Sequence, residues 1–490
     1  VEDVEDVEDV EVVEDDEDDE DVEDVEDDED DEDDEEDGDD EDDEDDEDDE
    51  EDGDDEDDEE DEDDEDDEES AQAATSNPRS HIPRPPVKPK KKSLLVAYLL
   101  CATVFTKEML GIPIGGSPVD IYLLLICGIG GLMILSSRDA WKVVLIGTII
   151  LGTSLALLNQ YGHGTRIFIR QGIPALFVYI GTWVLLEKTS PMLLLKAYRN
   201  VCLVAAVFGI IQFALSLRGI EILIKVPGRL DSLAYEPSHY AIAIGPMVYF
   251  ATRDMLRTKN IFDIKGWTIV LSLLLTVSFT ALAILFICGI MLASQKRGPI
   301  IAAGFLVAAS YFYFYQELLP SEIQDRLSAL NNVSVTDIDT RDVGNMSVVS
   351  PLSNLEVAID SVVEKGRIFG NGFGGHYYAY FDYFKGFDFK FRKYFGINAI
   401  AGHSLFIRSV SEFGILGFLG YIGWIFFGLS KARREDQIWW TLSAIYLFGR
   451  IIKLGGLFEL GLPIFLLAPL VFYKIGKSNA RRRKMIPQLR

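Results

Sequence analysis

A histidine stands at the mouth of a long apolar run late in the chain, in the stretch His403-Ser404-Leu405-Phe406-Ile407-Arg408-Ser409-Val410-Ser411-Glu412-Phe413-Gly414-Ile415-Leu416-Gly417. Reduced to its spacing, this is His-Ser, nine residues, then Gly-x-x-Gly. Imidazole is the side chain best suited to proton transfer near neutral pH. At a helix N-terminus the macrodipole disfavours the imidazolium, so the ring stays neutral and able to take a proton. Two glycines three apart let a neighbouring helix approach closely and hold the span in place. The plain alternative is an interfacial histidine followed by ordinary membrane-helix glycines.

A second polar run is Gly228-Arg229-Leu230-Asp231-Ser232-Leu233-Ala234-Tyr235-Glu236-Pro237-Ser238-His239-Tyr240. A planar guanidinium such as Arg229 recognises phosphate in two-point fashion. Glu236 and His239 follow at the mouth of the next apolar run, within one turn of each other. An acid, a base and a phosphate-binding cation thus come to one depth. The structural alternative is a proline-initiated helix with Ser238 as its capping hydroxyl and Glu236 favouring the dipole. Both readings can hold together. Arg166, Arg170, Arg218 and Arg341 are further cations in loops expected to face outward, with interfacial snorkelling as the plain alternative for the first three.

These residues need elements to place them, and composition divides the chain. Residues 1–69 contain only Asp, Glu, Val and Gly, while the remainder holds 24 acids against 44 Lys and Arg. The low overall pI therefore describes the tail alone. The tail repels itself and has too little apolar surface to bury, which predicts a disordered acidic segment. Residues 70–92 read as a Pro/Lys-rich cytoplasmic linker. From Ser93 to residue 474 the chain is mostly apolar runs, near 93–106, 118–136, 140–158, 172–187, 200–217, 239–252, 268–293, 299–317, 405–429, 438–452 and 456–474. A bilayer core takes roughly 20 apolar residues per helix. The run 268–293 is long for one helix. Reading it as two short crossings that turn near Thr276–Thr280 keeps every basic cluster, Lys296-Arg297 included, on the cytoplasmic side. The expected fold is an all-α polytopic membrane protein of about twelve transmembrane helices. It has a large extracytoplasmic loop at 318–402, a basic tail at 475–490 and both termini cytoplasmic. The four cysteines fall inside apolar runs with no metal-ligand spacing, so no disulfide framework is expected.

GRLDSLAYEPSHYA, Gly370-Asn371-Gly372-Phe373-Gly374 and the His403-Ser404-x9-Gly414-x-x-Gly417 pattern together resemble the bacterial O-antigen ligase and surface-polysaccharide polymerase superfamily. The resemblance spans roughly residues 95–475. It implies an inverting glycosyltransferase at the outer face of a bacterial cytoplasmic membrane. The implied donor is an undecaprenyl-diphosphate-linked oligosaccharide, with no metal, no other cofactor and no nucleic acid. The implied partners are the lipid bilayer, a chain-length regulator and a flippase. Arg229 takes the place of the diphosphate-contacting arginine and His403 that of the outward-loop histidine. The sequence departs from many relatives at Ser278-Phe279, where an arginine follows the serine; Arg166, Arg170 or Arg341 is left to supply the second cation. Glu236-Pro237-Ser238 lies closer to the polymerases than to the ligases of that superfamily.

On this reading His403 takes the acceptor hydroxyl's proton, and Glu236 orients it or holds the acceptor. His239 lines the substrate site, and the long loop covers it with Arg341 or His376. Three other patterns are weaker. Gly370, Gly372 and Gly375 satisfy G-x-G-x-x-G without a surrounding βαβ unit, so a flexible turn is the default. Asp337 and Asp339 lack a third metal ligand nearby in sequence. The aromatic run from Tyr377 to Phe395 suits interfacial packing or sugar stacking. The rival class is a transporter or flippase, which would place ionisable groups deep in its spans. Mid-span regions here read as nearly free of charge, with Arg450, Lys453 and Glu459 near predicted ends. A metal-dependent membrane glycosyltransferase would need carboxylates in the first outward loop, where only Glu108 stands.

Overall fold

The computed structural model describes residues 91–105, 111–114, 117–133, 137, 139–220, 229–234, 236–293, 346–385, 396–431, 437–458 and 461–485. The acidic tail, most of the linker, the run expected at 299–317, Arg341, the Asp337/Asp339 pair and Glu459 lie outside them. Helix α1 is Lys91–Ala102. A two-stranded antiparallel hairpin follows, β1 (Gly111–Ile114) pairing with β2 (Ser117–Asp120) in the register Gly111 to Asp120. Then come α2 (Ile121–Met133), α3 (Ala140–Gln160), α4 (Arg166–Glu187), α5 (Pro191–Ser216), α6 (Pro237–Thr258), α7 (Ile264–Leu274) and α8 (Phe279–Ala293). The large loop contributes α9 (Met346–Ile359), which runs into a π turn at Asp360–Glu364, and α10 (Gly375–Phe384). The chain closes with α11 (Leu405–Ser430), α12 (Ile438–Ile452) and α13 (Leu462–Met485).

The protein is an all-helical, membrane-associated one apart from that short hairpin, which occupies the start of the run expected to be helical from residue 118. Among the described residues, four helices are long and apolar enough to cross a membrane, α3, α4, α5 and α11, the last reaching that length only across a break at Gly414. Helices α1, α7, α8 and α12 have 12, 11, 15 and 15 residues, fewer than the roughly 20 of a straight crossing. α3 turns Trp141, Leu145, Ile146, Ile149, Ile150 and Leu155 outward, as a helix solvated by lipid does. α6 is its opposite: the side chains of Tyr240, Ile242, Ile244, Met247 and Tyr249 are fully buried, making it the central post against which α7, α8 and α12 pack.

The chain reverses between α7 and α8 where the charge pattern places a turn. Gly266 packs at Met255, near the C-terminal end of α6, and Tyr240 at the other end bonds Ser272 (2.9 Å). Ile284 then lies over Gly245, so α8 runs back alongside α6. Ser278 caps the second helix, its Oγ accepting from the Ala281 N–H at 3.1 Å.

α11 departs from expectation most. It is broken at Gly414, whose φ 59, ψ −140 lies outside helical space. The first part folds back on the second: the Phe406 ring is 5.9 Å from that of Phe418 and 5.6 Å from that of Tyr421. Fifteen residues of straight helix would separate the latter pair by about 22 Å. Gly417 meets the Ser409 carbonyl at the crossing, so closely that a methyl group would lie 1.9 Å from the oxygen. The Gly-x-x-Gly pair therefore admits the chain's own folded-back helix and the loop at Ile368, in place of the single straight span expected at 405–429.

Gly414→Ala is expected to lower stability by more than about 3 kcal/mol, because glycine-only backbone strain adds to a methyl group held 1.9 Å from the Ile368 carbonyl. Gly420→Ala, with nothing within 4 Å, should stay within about 1 kcal/mol of the parent. Thermal unfolding of the two variants in detergent measures the difference.

Candidate functional site

His403 is not in the helix. It precedes the capping residue Ser404, whose Oγ accepts from the Ile407 N–H at 3.2 Å. Its own φ is 56, and Gly402 before it is also left-handed at φ 65. This tight turn puts the ring, 8 % exposed, against α9. Nδ1 faces Ser350 Oγ at 2.9 Å, and Asn398 Nδ2 donates to the same oxygen at 2.7 Å. Asn398 leaves Ser350 Oγ able to donate to Nδ1 or to accept from it, so the contact is met by either ring tautomer. Burial, reinforced by the Lys453 ammonium, pushes the imidazole pKa down to about 4, against the pull of Ile452 and Glu236. Neutrality was expected from the helix dipole; burial and a neighbouring lysine supply it.

Lys453 ties the two sequence motifs together. It follows the last turn of α12 and forms an ion pair with Glu236. Ser404 and Leu454 form a parallel bridge, so the His403 turn and the strand-like segment after α12 lie side by side. Glu236 occupies the cap position of α6 ahead of Pro237, without a capping side-chain bond. Ser238 was expected to cap; instead its hydroxyl donates to Glu236 Oε2 at 3.2 Å. His239 Nε2 lies 3.9 Å from the same carboxylate oxygen. Partial burial opposes the charge on Glu236, but Lys453, His239 and Ser238 overcome it and hold the pKa at about 2. Glu236 is therefore an anion paired with Lys453, and it acts on His403 as a nearby charge, Nδ1 of the ring being taken up by Ser350.

Behind this cluster lies a buried ion pair that the sequence reading passed over. Arg408 and Glu412, 2 % and 1 % exposed, sit within the apolar run, joined Nε to Oε1 at 2.9 Å. Arg408 also donates to the Gly455 carbonyl (3.2 Å) and to Gln171 Oε1. Both lie in the first nine residues of the run, ahead of the break at Gly414. The spacing i, i+4 of opposite charges in an apolar run was the available signal.

The other expected site residues are dispersed. Arg229, 5 % exposed, sits against the reversal between α7 and α8, its Nε donating to the Thr276 carbonyl at 3.3 Å. Leu230 N–H bonds the Leu275 carbonyl at 3.1 Å and fixes that placement. Arg166 and Arg170 are exposed on the first turn and a half of α4, not in a loop. His163 stacks on Tyr378 (5.5 Å between centroids) and contacts Arg367 at 3.2 Å. His376, fully buried in α10, has Nε2 2.8 Å from Asn354 Oδ1, and burial pushes its pKa down to about 3. Cys101, Cys202 and Cys288 are buried thiols. Sequence reasoning does not reach Lys453 or Ser350: one reads as a helix end, and the other lies 53 residues from His403 in the large loop.

No family model matches this chain, and neither a curated protein nor a solved structure matches it. The class of protein rests on its own residues.

His403 binds its proton less readily folded than unfolded. Its neutral burial therefore favours the fold fully above pH 6.5, and that advantage is lost as pH falls from 6.5 towards about 4. Glu236 acts only below its ordinary value of 4.5. Between pH 7 and 5, wild type should lose stability and His403→Gln should lose less, by at most about 2 kcal/mol. Thermal unfolding in detergent across this window reads the effect; parallel curves for the two proteins would remove the assignment.

Proposed function

We propose that the protein is a membrane glycosyltransferase that polymerises lipid-linked oligosaccharide repeat units by inverting transfer from an undecaprenyl-diphosphate-linked donor. It would serve O-antigen, capsule or exopolysaccharide synthesis at the outer face of a bacterial cytoplasmic membrane, within a fold of about twelve spans. The observation that carries this reading is the meeting of two distant motifs. The Glu-Pro-Ser-His run and the His-Ser-x9-Gly-x-x-Gly run converge on Lys453, bringing Glu236, His239 and His403 to one end of the helical core.

The chemistry follows from the parts. A lipid diphosphate leaves as a stable anion and needs charge stabilisation more than protonation, which Arg229 and one of Arg166, Arg170 or Arg341 would supply. A sugar hydroxyl is a poor nucleophile, and His403 would take its proton through Nδ1. Ser350 covers Nδ1 in the resting site, so the acceptor hydroxyl displaces it or hands its proton through it. An imidazole this far depressed is a weak base. The two negative charges of the bound donor would raise its proton affinity, so that the base gains strength only when donor is present.

A ligase that transfers finished polymer is the alternative within this chemistry. Lipid-linked products in cells lacking the protein separate them: single unpolymerised units mark a polymerase, and finished unattached polymer marks a ligase. The buried Arg408–Glu412 pair beside a broken helix favours a second class, a polysaccharide or lipid transporter. Movement of lipid-linked sugar across vesicles without a change in its length would support that class instead.

With purified protein in lipid and a lipid-diphosphate oligosaccharide donor, His403→Ala should abolish transfer while donor binding persists. Arg229→Ala should weaken binding as well as rate, a charged contact to phosphate being worth about 1.5–3 kcal/mol. Arg229→Lys should recover only part of it, since a point charge lacks the planar fork. EDTA should leave the rate unchanged. Full activity of His403→Ala, or an absolute need for a divalent cation, would overturn this mechanism.

A further inference from the structure

The glycine-rich part of the large loop does not lie on the surface of the helical core. It threads into the break in α11. Ile415 N–H donates to the Ile368 carbonyl, Asn371 N–H to Ser411 and Gly372 N–H to Glu412, each at 2.9 Å. Gly374 N–H reaches Glu412 Oε1 at 3.0 Å. On the other side, a methyl group at Gly372 would lie 2.5 Å from the Ser154 carbonyl of α3. The Phe373 ring packs at Gly172 of α4 and edge-on to Phe168 (6.3 Å).

These contacts fix a depth. Ser154 lies six residues before the end of α3, and Gly172 six residues after the start of α4. Either helix puts the glycine segment about 9 Å below their shared end, at 1.5 Å per residue. α3 has 21 residues and α4 has 22, about the length that a hydrocarbon core of roughly 30 Å takes up. Exposed Arg166 and Arg170 occupy the first turn and a half of α4, so the polar end of that helix extends to Arg170 and the segment packs about 3 Å beyond it, at 1.5 Å per residue. Irregular backbone is tolerated in a hydrocarbon layer only where its polar groups are satisfied inside the protein, and the N–H groups of Gly370, Asn371, Gly372, Gly374 and Gly375 all have partners.

Ile368 and Phe369, at the edge of this segment, are 56 % and 61 % exposed. They adjoin Ile415 and Leu416, 47 % and 59 % exposed at the start of the second half of α11. The residues just before them are polar and paired: Lys365 with Asp382 (2.9 Å) and Asp360 (3.2 Å), and Arg367 over the Tyr161 ring. The chain thus changes from charged to apolar between Arg367 and Ile368.

We propose that residues 368–374 re-enter the bilayer, with Ile368 and Phe369 against lipid acyl chains, as one surface with the lipid-facing side of α11. Which leaflet they enter rests on the topology proposed above; their burial in lipid does not, and it is tested without any assay of transfer.

The test uses the full chain in phosphatidylcholine/phosphatidylglycerol vesicles, with Phe369→Cys carrying an environment-sensitive fluorophore. Leu145→Cys on the lipid-facing side of α3 is the lipid reference, and Asn260→Cys in the exposed loop between α6 and α7 is the water reference. Signal from the unsubstituted protein is subtracted. Acyl-chain spin labels should quench position 369 as at 145, at least threefold more than at 260, while aqueous iodide should quench it no more than at 145. Quenching by iodide as at 260 would overturn the proposal. So would protection from both quenchers, which would mean that another protein surface covers the segment. Should Phe369→Cys not fold, Ile368→Cys carries the same expectation.

Discussion

The Arg408 guanidinium holds the candidate site in register. Its donors reach Glu412 one turn along, the carbonyl of Gly455 in the segment after α12, and Gln171 in α4. Glu412 extends the link to the Gly374 N–H of the large loop. One buried cation thus joins its own helix to a segment 237 positions away in sequence. A buried ion pair is not in itself a large source of stability, since desolvation offsets most of the attraction. What it does here is geometric. A guanidinium out of water must satisfy a fork of donors, and only one arrangement of these segments offers acceptors in the right places. That arrangement sets the segment after α12 beside the His403 turn, and so Lys453 beside Glu236.

Gly414 is the backbone counterpart of that constraint. An unbroken α11 would spend the Ser411 and Glu412 carbonyls on its own helix. The break releases them to Asn371 and Gly372, and lets Ile415 donate to Ile368. The loop that carries Arg367 and leads into α10 is thereby stitched to the helix that follows His403. Ser350, on the neighbouring α9, stands on the His403 ring. The large loop is therefore part of the site's wall through its helices, and the identity of residue 414 bears on His403 although the two are 11 positions apart.

What could be read in advance followed from patterns with a single physical solution. The reversal at 275–278 was legible because only two helices keep the flanking lysines and arginines on one side. Most of the described helices were legible from apolar length; the strand at Ser117–Asp120 and the break at Gly414 were not. The pairing of Glu236 with His239 followed from one turn of helix, and the pair was found at 3.9 Å. Contacts between segments were not legible. Ser350 is one of several serines in a long loop, and nothing local marks it. Lys453 reads as an ordinary helix end until Glu236 is set opposite it. The glycines at 370–374 read as a flexible turn, because spacing gives no depth. The pair Gly414 and Gly417 reads as the seat of a neighbouring helix, since a chain folding back on itself leaves the same small-residue pattern as two helices packing.

Backbone strain points to the same places. Among the described residues, six that are not glycine have positive φ: Ser232, Lys259, Val277, Asn398, His403 and Leu454. Lys259 ends α6 in an ordinary left-handed turn. Asn398, His403 and Leu454 surround the imidazole, and Ser232 and Val277 lie three residues from Arg229 and one from its partner Thr276. A β-branched valine at φ 44 and a histidine at φ 56 each cost of order 1–3 kcal/mol, and such conformations persist only where surrounding contacts over-determine them. Ser232 is held by the Ala205 carbonyl at 2.6 Å, Asn398 by Ser350 at 2.7 Å, and Leu454 by the bridge to Ser404. A chain needing only a stable helical bundle could relax each of these turns with a glycine. Keeping a side chain at φ above zero beside both the imidazole and the guanidinium fits residues placed for what they hold in position, with the cost borne by the packing around them.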